Sequence, residues 1–317
     1  MSSPSEQIEQ KGSSLWSDAW QRLKKNHMAT ASLVFLIFIV TLCFILPLFS
    51  IIKDPDLQNL TNTFQKTDGT HLLGTDQLGR DLLARLLYGG QVSILVGIVA
   101  TTLSLIIGVC YGSIAGYLGG KTDSFMMRIV DVLYGLPFLV IVILFSLLIS
   151  QHAEITSDKL INVWGWNKVL VEKFANLIPL FIAISALGWL TMARMARAQV
   201  ISLKKQDYIE AAMSLGLSHW KILTRHIMPN MLGSIIVYTT LTVPGFILTE
   251  ATLSYLGLGV EAPNSSWGIL LKEGANYMET QPQLLIIPSI IFSLTLFALN
   301  FLGDGLRDAL DPKAAKD

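Results

Sequence analysis

The sequence predicts an all-α membrane protein with six transmembrane helices, and three observations carry that prediction. Of 317 residues, 52% are hydrophobic and only 15% are charged, and the mean hydropathy is +0.54, outside the range of soluble globular chains. The apolar residues gather in six long runs on the scale of a ~30 Å hydrocarbon core. Polar residues occupy the short islands between them.

The same composition excludes several function classes. The 23 Lys and Arg balance 23 Asp and Glu, so no global field recruits nucleic acid. Cys43 and Cys110 both fall inside apolar runs and offer neither a disulfide framework nor a thiolate metal site. The five histidines lack ligand spacing, and neither Gly-x-Ser-x-Gly nor His-Glu-x-x-His occurs, so the chain offers no hydrolytic centre. Gly119-Gly120-Lys121-Thr122 imitates a phosphate loop, but Ala115 stands where its first glycine belongs, and a span precedes it instead of a strand.

Residues 1–27 form a polar segment with Lys11, Arg22, Lys24 and Lys25; the apolar run behind it is too long for a signal-peptide core and reads as a retained span. Met28 to Ile52 is span one, with Pro47 near its far end. Residues 53–90 read as a loop closed by a short interfacial helix, with Leu82, Leu83, Leu86 and Leu87 on one face. Within it, Gly74 to Asp81 has the chemistry of a turn and a helix start capped by Asp76 or Asp81, suited equally to a surface turn or to an external contact.

Val92 to Leu118 is span two, where Gly108, Gly112, Gly116 and Gly120 recur every four residues and predict a groove for a neighbouring helix. Ile129 to Ser150 is span three. It carries Asp131 one turn inside, with Arg128 three residues earlier as an interfacial partner; an intramembrane carboxylate is otherwise a candidate for a transport role. Gln151 to Asn176, with Trp164 and Trp166, reads as an interfacial loop. Leu177 to Ala193 is span four, and a polar island covers 194–230. Met231 to Ala251 is span five, interrupted at Pro244-Gly245 and closed by Glu250. Residues 252–283 form another polar connection, Leu284 to Leu302 is span six, and a charged tail covers 304–317. The spanning domain thus occupies 28–303.

Six spans leave both termini on one side of the membrane. That side carries 15 Lys and Arg against 8 on the other, so the positive-inside rule places the termini and the 194–230 island in the cytoplasm, and loops 53–90 and 252–283 outside. Within the island, Tyr208, Ile209, Ala212 and Leu215 share one face of a short helix, while Asp207, Glu210 and Ser214 lie elsewhere around it. Gly216 fits its C-cap and Pro229 starts the next span. Periodicity alone makes this an interfacial connector.

Glu210-Ala211-Ala212, Gly216 and Pro229, thirteen residues after that glycine, resemble the signature loop of importer permeases of the ATP-binding-cassette (ABC) class; His226 and Met228 stand where that loop usually has Ile and Leu. Gly74 to Asp81, Ser254 to Gly259 with Ser266-Trp267-Gly268, and the tail Gly303 to Pro312 resemble the peptide and nickel subfamily. Ser14 to Trp20 and the short first loop are most similar to oligopeptide permease C subunits.

The resemblance implies a type I ABC importer permease architecture in a bacterial inner membrane. It implies a second homologous permease subunit, two cytoplasmic ATPase subunits that hold ATP and Mg, a periplasmic peptide-binding protein, and no cofactor in this chain. It assigns ATPase coupling to Tyr208, Glu210, Ala211, Ala212, Leu215 and Gly216, and leaves Asp131, Glu250 and Asn300 as polar candidates for the path or its gate. The implied cargo is oligopeptide, with dipeptide, nickel or another small solute as alternatives. A secondary transporter driven by an ion gradient is the rival class. It calls for mid-membrane carboxylates or broken helices in matching repeats, and this sequence shows one shallow Asp and no visible inverted repeat.

Overall fold

The computed structural model describes residues 15–49, 52–260 and 264–310; residues 1–14 and 311–317 of the two terminal segments, and Glu261, lie outside them. Among the described residues the regular elements are helices, joined by one isolated bridge between Thr75 and Asp81. Among the described residues, six helical stretches are long and apolar enough to cross a membrane.

Helix α1 (Leu15–Lys25) leads into α2 (His27–Phe44), the first span, whose start is capped by the Asn26 side chain accepting from the Ala29 N–H. Leu23 and Ala29 pack against Ala309 near the end of α11 (Gln283–Leu310), so both described chain ends meet at one end of the bundle. The spine is the pair α3 (Leu82–Leu118) and α6 (Lys168–Lys204), each 37 residues long. Gly108 faces Met192, Gly112 faces the Ala193 backbone and Gly116 faces Arg197, so a methyl group at any of the three would meet the other helix. The predicted groove is therefore the α3–α6 contact, except that Gly120 has nothing near it.

Several boundaries differ from the sequence expectation. Helix α3 begins directly after Asp81, so the separate interfacial helix expected within 53–90 is the first part of span two. Helix α4 (Gly120–Tyr134) stands apart from the third span, α5 (Phe138–Asn162), which starts only after Pro137; Asp131 thus precedes the span instead of lying one turn inside it. The loop expected over 151–176 is helical except at 163–167. Helix α9 (Met228–Leu256) runs unbroken through Pro244-Gly245, and Glu250 lies within it rather than closing it. Polar composition at helix ends resembles loop composition, and a proline inside a span forfeits one backbone bond where an unwound segment would expose several to lipid.

The island between α6 and α9 folds as α7 (Asp207–Ser214), a one-turn α8 (His219–Ile222) and a π-helical turn over Leu223–Ile227. At the other end of the bundle, α10 (Trp267–Asn276) is a short helix wedged among α3, α9 and α11.

Candidate functional site

The α7 segment shows one face to the bundle and the other to its surroundings. Ile209 is fully buried and Ala212 is 6% exposed; both join an apolar cluster with Val109 and Tyr117 of α3, Met192, Ala196 and Val200 of α6, and Ile222, Leu223 and Ile227 beyond. Tyr208, Glu210, Ala211 and Ser214 are exposed, and Leu215 is 80% exposed. Of the six residues assigned to coupling, Ala212 is therefore turned inward. The face expected to hold Tyr208, Ala212 and Leu215 together is split: Tyr208 is exposed, and Leu215 lies past the last helical residue as the C-cap, off the helix face. Gly216 follows the Leu215 cap at φ +74°, with open space around it; its backbone N–H bonds the Met213 carbonyl and that of Leu217 bonds Ala212. Trp220 of α8, 70% exposed, extends the same outward surface, and its only signal in the sequence is an aromatic residue inside a polar island.

An ion pair and a hydrogen bond tie the helices at the α7 end. Arg197 Nε lies 2.5 Å from Asp123 Oδ1, joining α6 to α4, and Lys204 donates to the Tyr117 carbonyl at 2.7 Å. The hydrogen bond from Arg197 holds the Asp123 carboxyl below its usual range, against a smaller opposing effect of burial.

At the opposite end Asp76, Asp81 and Arg85 turn inward. Asp76, 1% exposed, accepts from the Leu78 and Arg80 N–H groups through Oδ1, and from Arg80 Nε (2.7 Å) and Arg85 (2.8 Å) through Oδ2. Glu273 of α10 receives both arginines, Arg85 very closely. Burial pushes the Glu273 carboxyl up, but the bond and charge of Arg85, with Arg80 and Gln77 helping, leave it below its usual range. Asp81 caps α3 at the Ala84 N–H and meets His71 Nδ1 at 2.8 Å. The Gly74 to Asp81 turn is thus a buried knot tying loop 52–81 to α3 and α10.

The three path candidates part company. Glu250 is fully buried, bonded by the Ser93 hydroxyl of α3 (2.8 Å) and the Ser254 hydroxyl (2.7 Å); those two oxygens in turn accept from the Trp267 and Val260 N–H groups. It staples α9, α3 and the start of α10. Asp131 is exposed and pairs with Arg194 of α6 at 2.7 Å, not with Arg128; Arg194 also stacks 4.2 Å over Tyr134. Asn300 is exposed and bonds its own helix at the Leu296 carbonyl. None of the three lines the cleft of about 520 Å³ between α4–α5, α6 and α9, whose walls include Tyr134, Gly188, Thr191, Tyr238, Thr242 and Phe246.

Six spans on a small-residue spine, with a short helix outside them, define a multi-pass membrane protein. The chain belongs to the family described as binding-protein-dependent transport system inner membrane component, which matches residues 108–316. The N-terminal domain of oligopeptide transport permease C matches residues 14–66. Over 309 residues it is 44% identical to the oligopeptide transport system permease protein OppC of Haemophilus influenzae, covering 97% of this chain and 92% of that one. The OppC of Escherichia coli is 44% identical over 98% and 95% of the two chains, and the dipeptide transport system permease protein DppC of Bacillus subtilis 40% identical over 93% and 85%.

Proposed function

We propose that this chain is one permease subunit of an ATP-driven importer that passes oligopeptides, handed over by a periplasmic binding protein, into the cytoplasm. A homologous permease subunit completes the path, and two cytoplasmic ATPase subunits bind and hydrolyse ATP with Mg. The observation that carries this reading is the outward edge of α7, where Tyr208, Glu210, Ala211 and Leu215 stand free of the bundle while Ile209 and Ala212 anchor it. An ATPase surface that grips this edge moves α7, and the anchored face passes the displacement to α3 and α6. Chain relatives named for oligopeptides over nearly their full length support the cargo.

The cleft at Tyr134, Thr191, Tyr238 and Thr242 suits that cargo, since its hydroxyls can serve peptide bonds common to every sequence while its apolar walls accept varied side chains. Glu210 supplies the charged contact to the ATPase, Ala211 the close approach, and Gly216 the turn that frees the edge. The test is uptake by the reconstituted complex in vesicles. Labelled oligopeptide enters only with binding protein and ATP, and outcompetes dipeptide and nickel. Uptake that runs on an ion gradient without ATP contradicts the proposal.

A further inference from the structure

The segment from α7 to α9 is covalently continuous with α6 and α9, but α3 has no chain connection to it. Among the described residues, contact between α3 and the stretch from α7 to α8 includes the apolar cluster and a polar link, the Tyr117 hydroxyl 3.0 Å from His219 Nδ1, with the rings edge to face at 5.8 Å. Tyr117 occupies the last turn of α3 and is 6% exposed. Its carbonyl accepts from Lys204, whose ammonium also stands 5.2 Å from the centre of its ring. One side chain thus gathers the end of α3, the end of α6 and the start of α8.

We propose that Tyr117 and His219 are positioning residues that engage α3 with the coupling segment. On this assignment the phenol O–H donates to Nδ1, and the imidazole carries its proton on Nε2. Helix α3 is a rod of about 55 Å. Toward its other end it carries Arg85 and Ser93, which bond Glu273, Glu250 and the start of α10. A displacement of α8 that engages α3 therefore reaches the knot at the opposite end without passing through α5 or α9. The ring of Tyr117 packs in the cluster whether or not its hydroxyl is bonded, so Tyr117→Phe removes the link and keeps the packing.

The inference rests on the proposed importer function, and its test has two arms. In the full chain alone, hydrogen exchange of the 219–222 amides rises about fivefold in Tyr117→Phe and in His219→Ala, the size expected for one lost hydrogen bond. In the reconstituted complex, both variants take up fewer peptides per ATP hydrolysed, and the double variant is no worse than either alone. Unchanged exchange, an unchanged ratio, or additive losses overturn the inference. Uptake independent of ATP overturns the importer function instead, and the exchange arm still judges the link.

Discussion

At the end opposite α7, Asp76, Arg80, Asp81 and Arg85 are paired and turned inward, whereas at the α7 end Glu210, Ala211 and Leu215 stand in the open. Both stretches are motifs of similar polarity in the sequence, and both sit beside a turn glycine. What separates them is the company each side chain keeps. In the knot Asp76, Asp81 and Glu273 each meet an arginine or histidine, and Asp76 and Asp81 also accept from backbone N–H groups, which offsets the cost of removing charge from water. On α7 only the apolar Ile209 and Ala212 are buried, and Glu210 is spent on nothing inside the chain's core. The first arrangement holds a loop in place; the second leaves a surface for something else to hold.

The largest expected effect lies in the knot. Arg85→Leu leaves Asp76 and Glu273 short of their buried counter-charge and destabilises the protein by about 3 kcal/mol or more, read by equilibrium unfolding in detergent. Glu210→Ala on the exposed edge changes stability by less than about 0.5 kcal/mol. A similar cost for both would erase the contrast.

The two turn glycines sharpen it further. Gly79 has φ +69° and a methyl group there would run into the Asn59 backbone, while Gly216 has φ +74° and open space. Gly216→Ala therefore costs only the left-handed backbone, roughly 1 kcal/mol, and Gly79→Ala costs more in the same unfolding measurement.

Acid gives the smallest and most graded test. The Glu273 and Asp123 carboxyls are both held below their ordinary values of 4.5 and 3.8, so the stability they contribute is present above those values and is lost as pH falls through the lowered ones. Hydrogen exchange in α10 should therefore rise as pH is lowered below 4.5, and exchange in α4 as it is lowered below 3.8.

Local signals were legible in the sequence: six apolar runs, the Gly108 to Gly116 groove, the Asp81 cap and the Gly216 turn all follow from residues within a few positions of each other. The distant partnerships were not. Asp131 finds Arg194 across 63 positions and Glu250 finds Ser93 across 157, so neither pairing leaves a periodic trace. The helix at 151–162 reads as loop because polar side chains suit both, the helix starting at Leu82 reads as a separate interfacial element instead of the beginning of span two, and the inward turn of Ala212 depends on how α7 meets α3 and α6. The coupling assignment came from the Glu-Ala-Ala pattern, while the division of its residues into anchor and edge needed the packed structure.

The direct measurement of the central claim is site-specific crosslinking in the assembled complex, with the exposed Cys110 first replaced by serine. Glu210→Cys, Ala211→Cys and Leu215→Cys should each form a crosslink to an ATPase subunit, and Ala212→Cys should not. Crosslinking from position 212 as strong as from 211, or none from 210, 211 and 215 in an intact complex, would contradict the account.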